Sequence, residues 1–128
     1  MADETTINAT VDAYIASFAA SDRAAYVACF ADEAWIEDPV GTPRRQGRDA
    51  IGGFWDDARA MASAIELRPT GPRVVIGSEA AFVFQVRPEI GSQTFVLDVV
   101  DHLTFDDDGR IATLRAFFDP ASMRPATD

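Results

Sequence analysis

Three polar residues of this chain occupy positions where acid–base chemistry could occur. In the segment from Gln93 to Phe105 the odd-numbered residues form an apolar set with period two, and Asp101 falls among them. A carboxyl group on an apolar strand face needs a cation or strong donors, because burial otherwise raises its pKa and keeps it protonated. A bulge that reverses the alternation, or an ion pair with an arginine, would remove this requirement. The candidate arginines are Arg73, Arg87 and Arg115.

Tyr14 and Asp38 supply the other two groups. Tyr14 lies on the apolar stripe of a predicted helix, where a buried phenol usually has a hydrogen-bond partner, although an ordinary core tyrosine fits the same pattern. Asp38 shares one face of a short predicted strand with Ala34 and Ile36, and the chain turns at Pro39. Because acids are frequent in this segment, a solvated or turn-forming Asp38 is an open alternative.

These residue types are together suited to enolisation. A neutral carboxylic acid and a phenol in an apolar cavity are two donors that can stabilise an oxyanion. An ionised carboxylate nearby can accept a proton and return it. The two aspartates therefore need opposite environments, and the sequence offers them. Asp101 lies among apolar residues, whereas Asp38 lies at a turn beside Glu37.

The elements that must position these groups are predicted as helices first and strands afterwards. Apolar spacing predicts helices at about residues 5–20, 21–30 and 48–62, with a short strand at 34–38. From residue 64 the period changes to two, and an Asp-Gly hairpin at 106–109 joins the last two strands. This order indicates an α+β fold with a mostly antiparallel sheet rather than alternating β-α-β units. The predicted strands cover residues 64–68, 73–76, 80–87, 93–105 and 110–118.

Size and charge limit the partners of the chain. Its 128 residues suffice for one domain, residues 1–128, with a loose tail from about residue 119. Eleven basic residues against 21 acidic ones give a net charge of −10, which makes nucleic acid an unfavourable partner. No apolar run has the length of a membrane span, so we expect no membrane partner. The single cysteine, Cys29, is expected to be a small buried hydrophobic residue of a cytoplasmic protein.

The chain resembles the bacterial ketosteroid isomerases over nearly its whole length. The resemblance is carried by FADEAWIEDPVG at residues 30–41, by Tyr14 upstream, and by Asp101 in VDHLTFDDDGRI downstream. It implies the nuclear-transport-factor-like cone fold, in which three helices close a strongly curved sheet around a pocket. It also implies that Asp38 is the general base and that Tyr14 and Asp101 are the oxyanion-hole donors. These enzymes are a standard example of a carboxylic acid kept neutral so that it can donate a hydrogen bond.

The implied reaction moves a double bond within a steroid. Asp38 would remove a proton from carbon 4 of a 5-ene-3-ketosteroid and return it to carbon 6, without a cofactor or a metal. Many members have a tyrosine at the position of Trp55, so we expect a shorter hydrogen-bond network around Tyr14. The implied substrate-binding residues are apolar and comprise Val40, Phe54, Trp55, Phe82, Phe84, Val86, Leu114, Ala116 and Phe118.

Two other kinds of protein fit the same fold. One is a different cone-fold enzyme, such as a polyketide cyclase or a dehydratase, and the other is a noncatalytic carrier of lipophilic molecules. The resemblance also implies a homodimer through the outer face of the sheet, with which an outward Val96 and Val100 are compatible. His102 falls on the strand face opposite Asp101, so we expect it to have no catalytic or metal-binding role.

Overall fold

The computed structural model describes residues 1–127, beginning with two helices. Helix α1 covers Glu4–Ala19, α2 covers Arg23–Ala28, and α3 covers Arg48–Met61. Their predicted ends are within two residues of the observed ones. The side chains of Asp3 and Asp22 accept hydrogen bonds from backbone amides in the first turns of α1 and α2, which fixes where these helices begin. No helix in this part of the chain is long and apolar enough to span a membrane.

The strands form one curved, mostly antiparallel sheet, as predicted. The strands are β1 (Phe30–Glu37), β2 (Arg45–Gln46), β3 (Ala64–Ile76), β4 (Glu79–Ile90), β5 (Gln93–Phe105), β6 (Ile111–Phe117) and β7 (Arg124–Pro125). Their order in the sheet is β2-β1-β6-β5-β4-β3, and the short β7 pairs with β5 outside this path. The β1–β6 pair is parallel, whereas the other pairs are antiparallel.

Strand β3 differs from the prediction, which divided it into residues 64–68 and 73–76. The structure has one strand whose register against β4 shifts between Pro69 and Arg73. Proline has no amide hydrogen for the ladder, so Pro69 and Pro72 interrupt the pairing with β4. The chain nevertheless keeps its direction, and the prolines produce an irregularity within a long strand rather than a turn.

The C-terminal segment also differs from the prediction, which left it loose from residue 119. A short 3₁₀ helix at Pro120–Ser122 is followed by β7, whose Arg124 pairs with Val96 of β5. As a result Val96 is only 5% exposed, although it lies on the outer face of the sheet as expected. The remainder of the predicted tail, Asp128, lies outside the described residues.

The order of the central strands brings the ends of β1 and β5 to the same place. Ala116 of β6 is the register partner of Asp101. The carbonyl of the same alanine accepts a hydrogen bond of 2.8 Å from the amide of Val40, two residues beyond Asp38. A single residue of β6 therefore connects the chain segments that carry the two aspartates.

Candidate active site

The inner face of the sheet and helices α1 and α3 surround a cavity of about 110 Å³. Its lining is mainly apolar with a few polar groups, which is the usual composition of a small-molecule site. The polar groups on its wall are Tyr14, Asp38 and Asp101. The apolar lining consists of Phe18, Phe54, Ala58, Ile65, Leu67, Phe84, Val86, Leu97, Val99, Ala116 and Phe118. The structure thus brings together the three residues that the sequence singled out for acid–base chemistry.

Asp101 lies on the inner face of β5 and is 1% exposed. Its pairing with Phe82 of β4 and Ala116 of β6 is regular, which rules out a bulge that would turn the side chain outward. Neither carboxyl oxygen has a hydrogen-bond partner among residues 1–127, so no arginine neutralises it. Two of the candidate arginines bind other acids: Arg73 binds Asp12 and Arg115 binds Glu37.

The surroundings of Asp101 favour the protonated form of its carboxyl group. Burial raises the pKa of Asp101 well above its usual range, and the nearby charge of Asp38 raises it further. Only the hydroxyl of Tyr14 acts in the opposite direction, and its effect is the smallest of the three. A protonated carboxyl group has a donor to offer to a negative oxygen in the cavity.

Tyr14 is held by α1 and is 3% exposed. Burial raises the pKa of this phenol well above 10, and the proximity of Asp101 raises it further. The phenol therefore stays protonated at neutral pH. Two neutral O–H groups, one from α1 and one from β5, consequently line the same apolar cavity, as the donors of an oxyanion hole would.

Asp38 follows the last residue of β1 and is half-buried. Burial raises the pKa of its carboxyl group to about 7, against the opposing effect of Arg45. Arg45 itself binds Asp57 at 2.7 Å and lies 5.6 Å from the ring centre of Phe54. A carboxyl group with a pKa near 7 exists in both forms at neutral pH, so it can accept a proton and give it back.

Sequence comparison identifies the family. Residues 11–114 match the model of the SnoaL-like domain. The chain belongs to the SnoaL-like family. A curated steroid Delta-isomerase of Nocardioides simplex is 38% identical to it over 117 residues, which are 91% of this chain and 93% of that protein.

Two solved structures have the same fold as this SnoaL-like chain. One is the epoxide hydrolase/cyclase-like enzyme SalBIII, studied for pyran ring formation in the polyether salinomycin. It has a TM-score of 0.86 and 24% identity, covering 98% of this chain and 100% of its own. The other is RV0760c from Mycobacterium tuberculosis, with a TM-score of 0.85 and 20% identity over 98% of this chain and 100% of its own. At these identities the similarity establishes the cone fold that the sequence predicts.

The apolar residues expected around the SnoaL-like cavity separate into two groups. Five of them line it: Phe54, Phe84, Val86, Ala116 and Phe118.

The other four do not form its wall. Phe82 and Leu114 are buried behind it, and the Phe82 ring stacks on Phe84 at 5.1 Å. The ring centre of Trp55 lies 5.0 Å from that of Phe18, and Val40 lies in the turn after Asp38.

Sequence reasoning missed several residues that the cavity uses. Leu97 and Val99 alternate with Asp101 on β5, and Phe18 follows Tyr14 by one helical turn, so both signals were present in the spacing. Ala58, Ile65 and Leu67 also line the cavity.

His102 lies on the outer face of β5, as expected, with its Nε2 2.6 Å from a carboxylate oxygen of Glu79. It is therefore separated from the cavity by the sheet. In the part of the chain that the structure describes, no group of three or more His, Cys, Asp or Glu side chains is arranged to hold a metal ion.

Proposed function

We propose that this protein is a steroid Δ-isomerase that converts 5-ene-3-ketosteroids into their conjugated 4-ene-3-keto isomers. The observation that carries the proposal is Asp101, a buried carboxyl group without a partner in the same apolar cavity as Tyr14 and Asp38. A buried polar group left unpaired costs stability, so its retention requires an explanation such as a ligand or a catalytic role. The 38% identity to a curated steroid Delta-isomerase supports the same conclusion.

The proposed reaction is an intramolecular proton transfer through Asp38. The ionised carboxylate removes a proton from carbon 4, and the electrons of the broken C–H bond move towards the ketone oxygen to give a dienolate. Asp38 then donates the same proton to carbon 6, and the double bond becomes conjugated with the restored ketone. The proton and the electron pair both return to the substrate, so the reaction requires no cofactor or metal.

Tyr14 and Asp101 form the proposed oxyanion hole. Each would donate one hydrogen bond to the ketone oxygen, and both bonds become stronger as that oxygen gains negative charge. The apolar walls exclude water, which lowers the local dielectric constant and strengthens these interactions. The same walls would bind the carbon skeleton of the steroid without any charged contact.

We also propose a homodimer formed through the outer face of the sheet, in a protein of the cytoplasm. Three apolar residues are exposed on that face: Val83, Val100 and Phe117. Val100 is the register partner of Val83 on β4 and of Phe117 on β6. They form an apolar row that a second copy would cover. Sedimentation should give a dimer that Val100→Glu dissociates, whereas a monomeric wild-type protein would contradict the proposal.

The proposed activity is tested by mixing the protein with a 5-ene-3-ketosteroid and following the ultraviolet absorbance of the conjugated enone. We expect a rise at a rate proportional to protein concentration. Quenching of tryptophan fluorescence measures binding in the same samples. A carrier would quench the fluorescence without producing the enone, and a cyclase or a dehydratase would leave this steroid unchanged. Either result would refute the proposal.

A further inference from the structure

Asp38, the proposed general base, lies at the start of the turn that joins β1 to β2. No group among residues 1–127 hydrogen-bonds its carboxyl oxygens. This freedom suits a base that must reach two carbons of the substrate in turn, but it leaves the position of the carboxylate to the backbone that carries it. A displacement of about 1 Å at a reacting group can cost about 10² in rate. The contacts that hold this segment of the chain therefore matter for catalysis.

Glu37, the residue before Asp38, lies on the opposite face of the sheet. Consecutive residues of a strand point to opposite faces, and the buried side chains of Ala34 and Ile36 mark the inner face of β1. Although Glu37 is on the outer face, its side chain is only 13% exposed. A carboxylate so far removed from water needs cations or donors as partners.

Two arginines from different elements bind Glu37, and the three residues form the outer clamp. The Nε atoms of Arg44 and Arg115 lie 3.3 Å and 3.2 Å from the same oxygen of Glu37, Oε1. Arg44 is the last residue before β2, and Arg115 is the register partner of Glu37 on β6. The outer clamp therefore joins the beginning and the end of the turn to a central strand of the sheet.

Aromatic rings hold both guanidinium groups of the outer clamp. The Cζ of Arg44 lies 3.7 Å from the ring centre of Trp35, and the Cζ of Arg115 lies 5.3 Å from that of Phe117. A guanidinium group at such a distance is attracted by the face of the ring. Because its planar fork is already oriented, it loses less freedom when it also binds a carboxylate. The outer clamp is thus better ordered than an isolated ion pair on the surface.

We propose that Glu37 is a positioning residue, which holds the Asp38 carboxylate against the substrate through the two arginines of the outer clamp. This inference rests on the proposed function. None of the three clamp residues lines the cavity, so their effect on the reaction must pass through Asp38. The amide of Val40 also bonds to a carbonyl of β6, so β6 contacts the chain on either side of the base.

Kinetics of Glu37→Gln in the enone assay test the proposal, because this substitution keeps the shape of the side chain and removes its charge. We expect kcat to fall about tenfold, as a small displacement of the base requires. KM should stay within about twofold of wild type, since the apolar walls are unchanged. A wild-type kcat in this variant would overturn the proposal.

A double-mutant cycle distinguishes positioning of the base from general damage to the site. If Glu37 acts through the Asp38 carboxylate, Glu37→Gln should have no further effect on the residual rate of Asp38→Asn. In the Tyr14→Phe background it should still lower kcat about tenfold, because the oxyanion hole is a separate part of the site. A purely structural role would lower the rate equally in both backgrounds, and that result would overturn the proposal.

Arg44→Met decides the question even if Glu37→Gln is too unstable to purify. Arg44 is exposed, and methionine keeps a flexible apolar side chain against Trp35 while removing the charge. We expect kcat to fall about twofold to fivefold, which corresponds to the loss of one ion pair, and Arg44→Lys to recover most of that loss. A wild-type kcat in Arg44→Met would overturn the proposal.

Glu79→Gln is the matched control, because it makes the same change in another carboxylate on the outer face. Glu79 pairs with His102 and lies on β4, three strands from β1 in the sheet. It should keep the wild-type kcat, and a loss similar to that of Glu37→Gln would overturn the proposal. A wild-type protein without isomerase activity would refute the proposed function and this role with it. An active wild type with an unaffected Glu37→Gln variant would refute only the role of the outer clamp.

Discussion

The polar residues on the two faces of β5 differ in whether their side chains have partners. On the outer face, Asp98 pairs with Arg124 at 3.0 Å and His102 pairs with Glu79 at 2.6 Å. On the inner face, Asp101 has no partner for either oxygen among residues 1–127. The neighbours Asp101 and His102 thus lie on opposite faces of the sheet, and only His102 has a partner.

The outer residues and Asp101 therefore have different effects on stability. Exposed ion pairs contribute about 0–1 kcal/mol, so the outer pairs are nearly neutral for stability. A carboxyl group whose pKa is raised by burial instead destabilises the native state at neutral pH. We infer that the inner polar residues are kept for a ligand, and substitutions on the two faces should have different consequences.

The largest effect is expected at Asp38. In Asp38→Asn the proton carrier is lost, so kcat should fall by about 10² to 10⁴, the usual contribution of a positioned general base. Steroid binding, measured by tryptophan fluorescence, should persist because the apolar walls are unchanged. If binding disappears together with turnover, Asp38 holds the substrate and does not act as the base.

The next largest effect is expected at Asp101. Asp101→Leu removes a donor of the oxyanion hole, which typically costs about 2.7–4 kcal/mol of transition-state stabilisation, or about 10² to 10³ in kcat. Asp101→Asn keeps a weaker donor and should give an intermediate rate in the enone assay. Tyr14→Phe should resemble Asp101→Leu.

His102→Gln is the control for this series, since it changes the adjacent residue on the outer face. It should leave kcat within about twofold and the free energy of unfolding within about 0.5 kcal/mol of wild type. A loss of activity similar to that of Asp101→Leu would remove the distinction between the two faces.

A smaller and graded effect is expected from pH. Because the pKa of Asp38 is raised to about 7 and the ionised form is the base, kcat/KM should fall tenfold for each pH unit below about 7 and level off above it. A profile that is flat from pH 5 to 8 would show that Asp38 is already ionised throughout and that burial does not control it.

Stability should depend on pH with the opposite sign. Asp38 and Asp101 keep their protons in the native state at pH values where the unfolded chain, with carboxyl pKa values of about 3.9, has lost them. Their contribution to the free energy of unfolding therefore falls as the pH rises from about 4 towards 7. The stability of Asp101→Asn relative to wild type, measured by urea unfolding, should increase over that range.

The periodicity of single elements predicted which of their side chains face the core. The alternation along β5 predicted that Asp101 faces the core but left open a bulge, and the regular pairing with β4 and β6 excludes that alternative. The apolar stripe of α1 likewise predicted that Tyr14 points inward. Both predictions required only the period of the element.

Tertiary contacts determine what the sequence could not predict. Phe82 and Phe84 share a strand face, but only the depth of the cavity decides that Phe84 lines it and Phe82 does not. Tyr26 lies on a helix of six residues, too short to define an apolar stripe, so its position is visible only from the rings packed around it. The pairing of β7 with β5 is a long-range contact without a local signal.

Backbone contacts of Ala116 connect the segments that carry Asp38 and Asp101. Its pairing with Asp101 and its hydrogen bond to Val40 are formed by main-chain atoms and the ladder register, which side-chain substitutions do not alter. The walls at Phe54, Phe84 or Phe118 can consequently be reshaped while the acid–base geometry is preserved. If the proposed function is correct, substitutions in these walls should change the choice of ligand while proton transfer is retained.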